Sequence, residues 1–215
     1  MQRLRIRFSR GEELKYISHL DIIRLWQRAL IRAGIALAYS EGFSPHPRMS
    51  LAAPLALGIT SEAELMDIVL EKFMSPHNFT AAVGRQLPLG ISIAGVFSTT
   101  LNMPSAQSQL RQAEYTVRIA TGKSKNDVEA AITGLLEKES LPWEHRRDTG
   151  PHRYDLRALI DDLWIIDLHE GYCIIGMRLR SDSAGSGRPE QVAAALGFES
   201  YPDSIHRTRL VLQTN

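Results

Sequence analysis

An α+β fold of two tandem ferredoxin-like (βαββαβ) modules with antiparallel sheets is predicted by an element order that runs twice along the 215 residues: strand, helix, strand, strand, helix, strand. Three observations carry it. Residues 3–8, Arg-Leu-Arg-Ile-Arg-Phe, alternate with period two, as a strand with one buried face does. A helical stripe follows directly, and after a polar, aperiodic stretch at 101–112 a second alternating run, 115–119, restarts the order. The expected domains are therefore 1–100, carrying the Ser-His-Leu-Asp helix and a Pro-His-Pro loop, then a linker at 101–112, then 113–215. One larger α+β sheet is the alternative.

Each element has a local cause. Ser18 caps the first helix, with Asp21 in the reciprocal capping-box position, and Gly34 supplies the left-handed residue that ends it. Ile22, Leu25, Trp26, Ala29, Leu30 and Ala33 make the inward stripe, while Arg24, Arg28 and Arg32 fall four apart on another face. Residues 35–39, continued by 49–57, read as a second strand and 65–71 as a third. Ser75-Pro76 opens a helix that turns Phe79, Ala82 and Val83 inward, and 91–97 is the fourth strand. In the second half Asn126 caps a helix with the stripe Val128, Ala131, Ile132, Leu135 and Leu136. Residues 143–167 hold a strand and a long excursion at 146–157; 172–179 follow, then a helix from Pro189 to Gly197 and a last strand at 205–212.

Lys+Arg 25 against Asp+Glu 24 leaves a net charge of +1, so any nucleic-acid binding has to come from local patches. The single cysteine, Cys173, excludes an internal disulfide, a cysteine-rich zinc site and a thiolate-held iron–sulfur cluster. No apolar run reaches membrane-spanning length and the N-terminus does not read as a targeting signal, so a soluble cytoplasmic protein is expected. Phosphate-binding and dinucleotide glycine loops, the nucleophile elbow and His-Glu-x-x-His are absent, and no cofactor or metal is expected.

The loop Glu41-Gly-Phe-Ser-Pro-His-Pro-Arg48 draws attention because Gly42 permits a sharp turn while Pro45 and Pro47 fix the backbone on either side of His46. Arg24, Arg28, Arg32 and Arg48 have few acids near them in sequence and are the candidate phosphate contacts, with Phe43 placed to stack on a base and His46 setting local geometry. Arg3, Arg5 and Arg7 share one strand face, where pairing with Asp67 and Glu71 across strands is preferred to RNA contact. Arg178, Arg180, Arg207 and Arg209 alternate along later strands, and His145 and His152 sit among Arg146, Arg147 and Arg153. His19, Asp21 and His46 suit general acid–base work or a metal if the loop folds back over the helix start, though His19 as a helix-start hydrogen-bonder is preferred to a metal ligand.

Several blocks together carry a family likeness: 5–8 (Arg-Ile-Arg-Phe), 16–21 (Tyr-Ile-Ser-His-Leu-Asp), 28–34, 39–48 and 54–58, then Asp155-Leu-Arg157, Arg188-Pro189 and Arg207-Thr208. They resemble the radical SAM-linked protein family, whose domain has no assigned function. The resemblance implies a module encoded beside, or fused behind, a radical SAM enzyme; with one cysteine this chain cannot hold that enzyme's cluster itself. The family's shared residues map to Ser18, His19, Asp21, Arg24, Arg28, Ser40, Glu41, Gly42, Phe43, Pro45, His46, Pro47 and Arg48. The leading expectation is a non-catalytic RNA-binding accessory protein that presents tRNA or rRNA to a partner radical SAM enzyme. The alternatives are a metal-independent endoribonuclease using His19 and His46, and a protein-partner module that binds no RNA.

Overall fold

The structure is a computed structural model that describes residues 1–147 and 150–213. It is mixed α+β, with mostly antiparallel strands and five helices among the described residues. Two compact units divide the chain, Met1–Leu110 with the residues from Leu212 onward, and Arg111–Val211. No helix among the described residues is long and apolar enough to cross a membrane.

The first unit contains β1 (Gln2–Arg10), α1 (His19–Arg32), β2 (Met49–Leu51), β3 (Thr60–Leu70), α2 (Pro76–Gly84), β4 (Ile91–Thr99) and α3 (Ala106–Gln109). Its strands lie in the order β4-β1-β3-β2, each antiparallel to its neighbour. Period-two alternation buries Leu4, Ile6 and Phe8 of β1 in one cluster with Ile22, Trp26, Ala29 and Leu30 of α1 and Phe79 and Val83 of α2. Phe8 meets Trp26 edge-on, ring centroids 5.0 Å apart. Both ends of α1 are where the sequence puts them: Ser18 Oγ accepts from the Asp21 N–H at 3.2 Å, and Gly34 exits with φ +69°.

Two expectations for this half change. Residues 35–39 and 49–57 do not make one long strand; only Met49–Leu51 pairs regularly, and Leu37 and Tyr39 form isolated bridges to Leu70 and Pro47. Pro45 and Pro47 have no N–H to give a ladder, so pairing resumes only after them. The stretch 101–112 is more than a connector, because it carries α3 and the start of β5 and buries Ala106 and Gln109. What it covers is Arg5, on the β1 face opposite Leu4 and Ile6. Arg5 Nε and Nη2 donate to the two Asp67 oxygens at 2.8 and 3.0 Å, Nη1 donates to Gln109 Oε1 at 2.8 Å and Nη2 to the Pro104 carbonyl at 3.2 Å. The Ala106 N–H closes the set on Asp67 Oδ2 at 2.7 Å.

The second unit is built from β5 (Leu110–Thr121), α4 (Lys125–Leu136), β6 (Pro142–Arg147), β7 (Gly150–Asp155), β8 (Ile160–His169), β9 (Gly171–Asp182), β10 (Gly185–Ser186), α5 (Pro189–Ala195) and β11 (Ser204–Leu212). Its sheet runs β11-β5-β9-β8, with β10 pairing the end of β9. Ser124, and not Asn126, caps α4: its hydroxyl takes the Asp127 N–H while the Asp127 carboxylate takes the Ser124 N–H, a full capping box. Of the excursion at 146–157, residues 146–147 and 150–155 pair in a separate hairpin of β6 on β7 while 148 and 149 lie outside the described residues, and the apolar run 163–168 lies within β8, the sheet's second strand.

Ser124→Ala is expected to lower stability by about 1 kcal/mol and Asn126→Ala to be close to neutral, measured by urea denaturation. Asp67→Ala strands the Arg5 charge and is expected to cost about 3–5 kcal/mol in the same assay.

Candidate nucleic-acid interface

The loop that follows α1 is closed by its own backbone. The Ser40 N–H donates to the His46 carbonyl at 2.8 Å and the His46 N–H donates to Ser40 Oγ at 3.0 Å. Its two stems are fixed on the end of β3: the Ala38 N–H donates to Val69 O at 2.9 Å, the Val69 N–H to Arg48 O at 2.9 Å, and the Arg48 N–H to Ala38 O at 2.8 Å. Gly42, at φ +122°, makes the turn at the tip. Phe43 projects from it fully exposed, and Glu41, Pro45, His46 and Arg48 are exposed around it, with Pro47 half-buried at the stem.

Along α1 the arginine ridge faces water. Arg24 Nη1 lies 3.3 Å from Asp21 Oδ1, Arg32 Nη2 donates to the Gln86 carbonyl at 2.7 Å, and Arg28 is exposed between them. The Ser18 hydroxyl, and after it Arg24, hold the Asp21 carboxyl below its ordinary 3.8, so Asp21 stands ionised beside the Ser18 cap. His19 is half-buried, and that burial pushes its imidazole below 6.5; the Glu64 charge opposes the shift and the Arg10 charge adds to it. The ring is accordingly neutral at pH 7.

His19, Asp21 and His46 do not converge. His19 feels Arg10 and Glu64, at the end of the β1–β3 ladder where Phe8 opposes Glu64, whereas the loop is anchored at Val69 and Leu70, the end where Gln2 opposes Leu70. The five residue steps from Glu64 to Val69 span about 16 Å of strand. Paired-imidazole chemistry on a 2′-hydroxyl therefore has no assembled centre here. Among the described residues, no group of three or more His, Cys, Asp or Glu could hold a metal ion.

Most strand arginines are committed to the protein. Arg5 is buried on Asp67, as the pairing argument expects, while Glu71 is exposed and takes no part. Arg3 donates to the Met103 carbonyl, Arg178 pairs with Glu114 at 2.9 Å, Arg180 with Asp182 at 2.8 Å, and Arg207 is buried. Arg7 and Arg209 are exposed. In the β6–β7 hairpin His145 stands opposite His152, Arg188 Nη1 lies 3.2 Å from His145 Nε2, and Arg153 pairs with Glu144. The side chains of Arg146 and Arg147 lie outside the described residues. Sequence reading passed over Trp164 and Tyr172, which share a face of the second sheet; two register shifts in β8 leave no clean alternation in 160–169 to signal it.

These features define an antiparallel α+β protein with a basic helix ridge and an aromatic loop tip. Over residues 3–189 the chain matches the uncharacterized proteins conserved in bacteria grouped as DUF2344, and it belongs to that family. A search of curated proteins found no match. Among solved structures it is similar in fold to a chain of a Cbf5-Nop10-Gar1 complex, with TM-score 0.57 and 8% identity over 96% of this chain and 48% of that one. It is also similar to a chain of an archaeal box H/ACA sRNP Nop10-Cbf5 complex (TM-score 0.50, 8% identity, 99% and 49%). The third likeness is to a chain of an H/ACA RNP bound to a substrate RNA containing 2′-deoxyuridine (0.50, 8%, 96% and 47%). The chain spans about half the length of each.

The lowered folded value of His19 means that the unfolded state takes up the proton first on acidification. Stability from the neutral ring is present above 6.5 and is lost as pH falls from 6.5 through the folded value. NMR titration of the His19 ring is expected to give a midpoint below 6.5, and His19→Gln to flatten the stability profile across that window.

Proposed function

We propose that this protein is a non-catalytic RNA-binding accessory that presents a structured RNA, tRNA or rRNA, to a partner radical SAM enzyme. The observation that carries the RNA reading is the loop tip: a fully exposed Phe43 on a backbone-closed turn, with Arg48 exposed at its stem and the Arg24, Arg28 and Arg32 ridge exposed on α1. An aromatic ring held out in water is ready to stack on an unpaired base, and exposed guanidinium groups fit phosphate oxygens in bidentate geometry. With a net charge of only +1, affinity would come from this patch and not from a bulk field. The chains of similar fold in an archaeal box H/ACA sRNP complex and in an H/ACA RNP bound to a substrate RNA lend the reading support. The radical SAM partner rests on the likeness of the Ser18-His-Leu-Asp21 and Gly42-Phe-Ser-Pro-His-Pro-Arg48 blocks, and the cytoplasm is where such a pair would work.

We also infer two ferredoxin-like modules, 1–100 and 113–215. The strand orders β4-β1-β3-β2 and β11-β5-β9-β8 support this, as does a helix after the first and third strand of each.

Fluorescence anisotropy with tRNA over a salt series tests the reading. Arg28→Ala and Arg48→Ala should each weaken binding and reduce the salt slope by about 1, while Phe43→Ala should cost about 1–3 kcal/mol with the slope unchanged. The RNA should be recovered intact. An unchanged slope in both arginine variants would remove the phosphate contacts, and absence of binding would leave a protein-partner module.

A further inference from the structure

We propose that the uncovered face of the second unit's sheet is a stacking platform for single-stranded RNA, with the Trp164 indole as its floor; this deepens the RNA reading above and rests on it. Along β9, Cys173, Ile175, Met177 and Leu179 are buried, and Tyr172, Ile174, Gly176 and Arg178 point the other way. On that outer face Trp164 of β8 stands opposite Gly176. A Cβ at Gly176 would come within 2.0 Å of the indole Cε2 and 2.2 Å of Nε1, so the ring lies against the bare backbone there and remains half-exposed.

Near the other end of β9 the planar groups continue. The Arg118 guanidinium of β5 sits 4.2 Å over the Tyr172 ring, and the His169 ring of β8 lies 5.1 Å from it on the opposite flank. Trp164 covering a glycine explains its position over Gly176, but it does not explain a guanidinium, a phenol and an imidazole standing in a row on the same face.

Three carboxylates around this face are engaged. Glu114 holds Arg178, the Asp167 carboxylate meets His169 Nε2 at 2.6 Å, and Asp162 accepts from the Leu163 N–H. Among the described residues Arg118 has no carboxylate partner, and its cation is held on Tyr172. A surface of π faces with a cation on one ring suits unpaired bases followed by phosphate, and every base has such a face to offer. A duplex keeps those faces stacked inside, which is why the occupant is a single strand.

Labelled ten-nucleotide oligouridylate and a blunt RNA duplex are titrated into the full chain. Trp164→Leu and Tyr172→Leu are each expected to weaken single-strand binding about tenfold, with the salt slope and duplex binding unchanged. In the wild type the oligouridylate should quench tryptophan fluorescence, and Trp164→Phe should remove that part of the signal; this readout stands even if Trp164→Leu fails to fold. Wild-type binding that depends on Arg28 and Arg48 but is untouched in a folded Trp164→Leu protein, with no Trp164-dependent quenching, would overturn the platform alone. No RNA binding by the wild type would overturn the platform and the RNA reading together.

Discussion

A guanidinium buried beside a carboxylate costs several kcal/mol per ion in lost hydration unless the remaining donors and acceptors are also met. In the first unit that condition is satisfied at Arg5 and Asp67. Three guanidinium nitrogens and both carboxylate oxygens find partners, and some of those partners are Pro104, Ala106 and Gln109. The ion pair therefore recruits the chain after β4 as its cover. Once 104–109 lie over the β1–β3 face opposite α1, the face that Arg3 and Arg5 offer on paper is closed to an RNA. What stays outside the cover is the arginine ridge of α1 and the loop behind it.

The β1–β3 ladder also divides the labour between its two ends. Arg10 threads its guanidinium onto the carbonyls of Leu14, Lys15 and Ile17, fixing the entry to α1 beside Glu64 and His19. The opposite end holds the loop. A histidine at each end cannot share a proton transfer across a five-residue stretch of strand; one end anchors the entry to the helix and the other holds the exposed loop.

Much of this was legible from residue order. Ser18, Asp21 and Gly34 bracket α1 because capping is local chemistry, and the period-two run of β1 sorts its arginines from its core unaided. The misses share a cause, which is that their signals are shorter than a period or lie on another strand. Ser124 has its acidic partner Asp127 three residues on and was distinguishable from Asn126 on that ground. The four residues of α3 are too few to show a stripe. The facing of Trp164 on Gly176 depends on pairing register, and β8 carries irregularities on both sides of that residue, between Ile160 and Asp162 and between Ile165 and Asp167. Nothing within β8 alone announces which residue it will meet.

The closure of the 40–46 loop separates the tip from what holds it. The bonds that hold it are main-chain groups of residues 38, 40, 46, 48 and 69, with one hydroxyl from Ser40. Side chains at 41, 43 and 44 lie outside that scaffold, so they can be exchanged while the sheet and helix beneath register no change. The tip is a fitting on a fixed socket: what it presents to the outside is set by three side chains, while the shape that presents them is set by the main chain beneath.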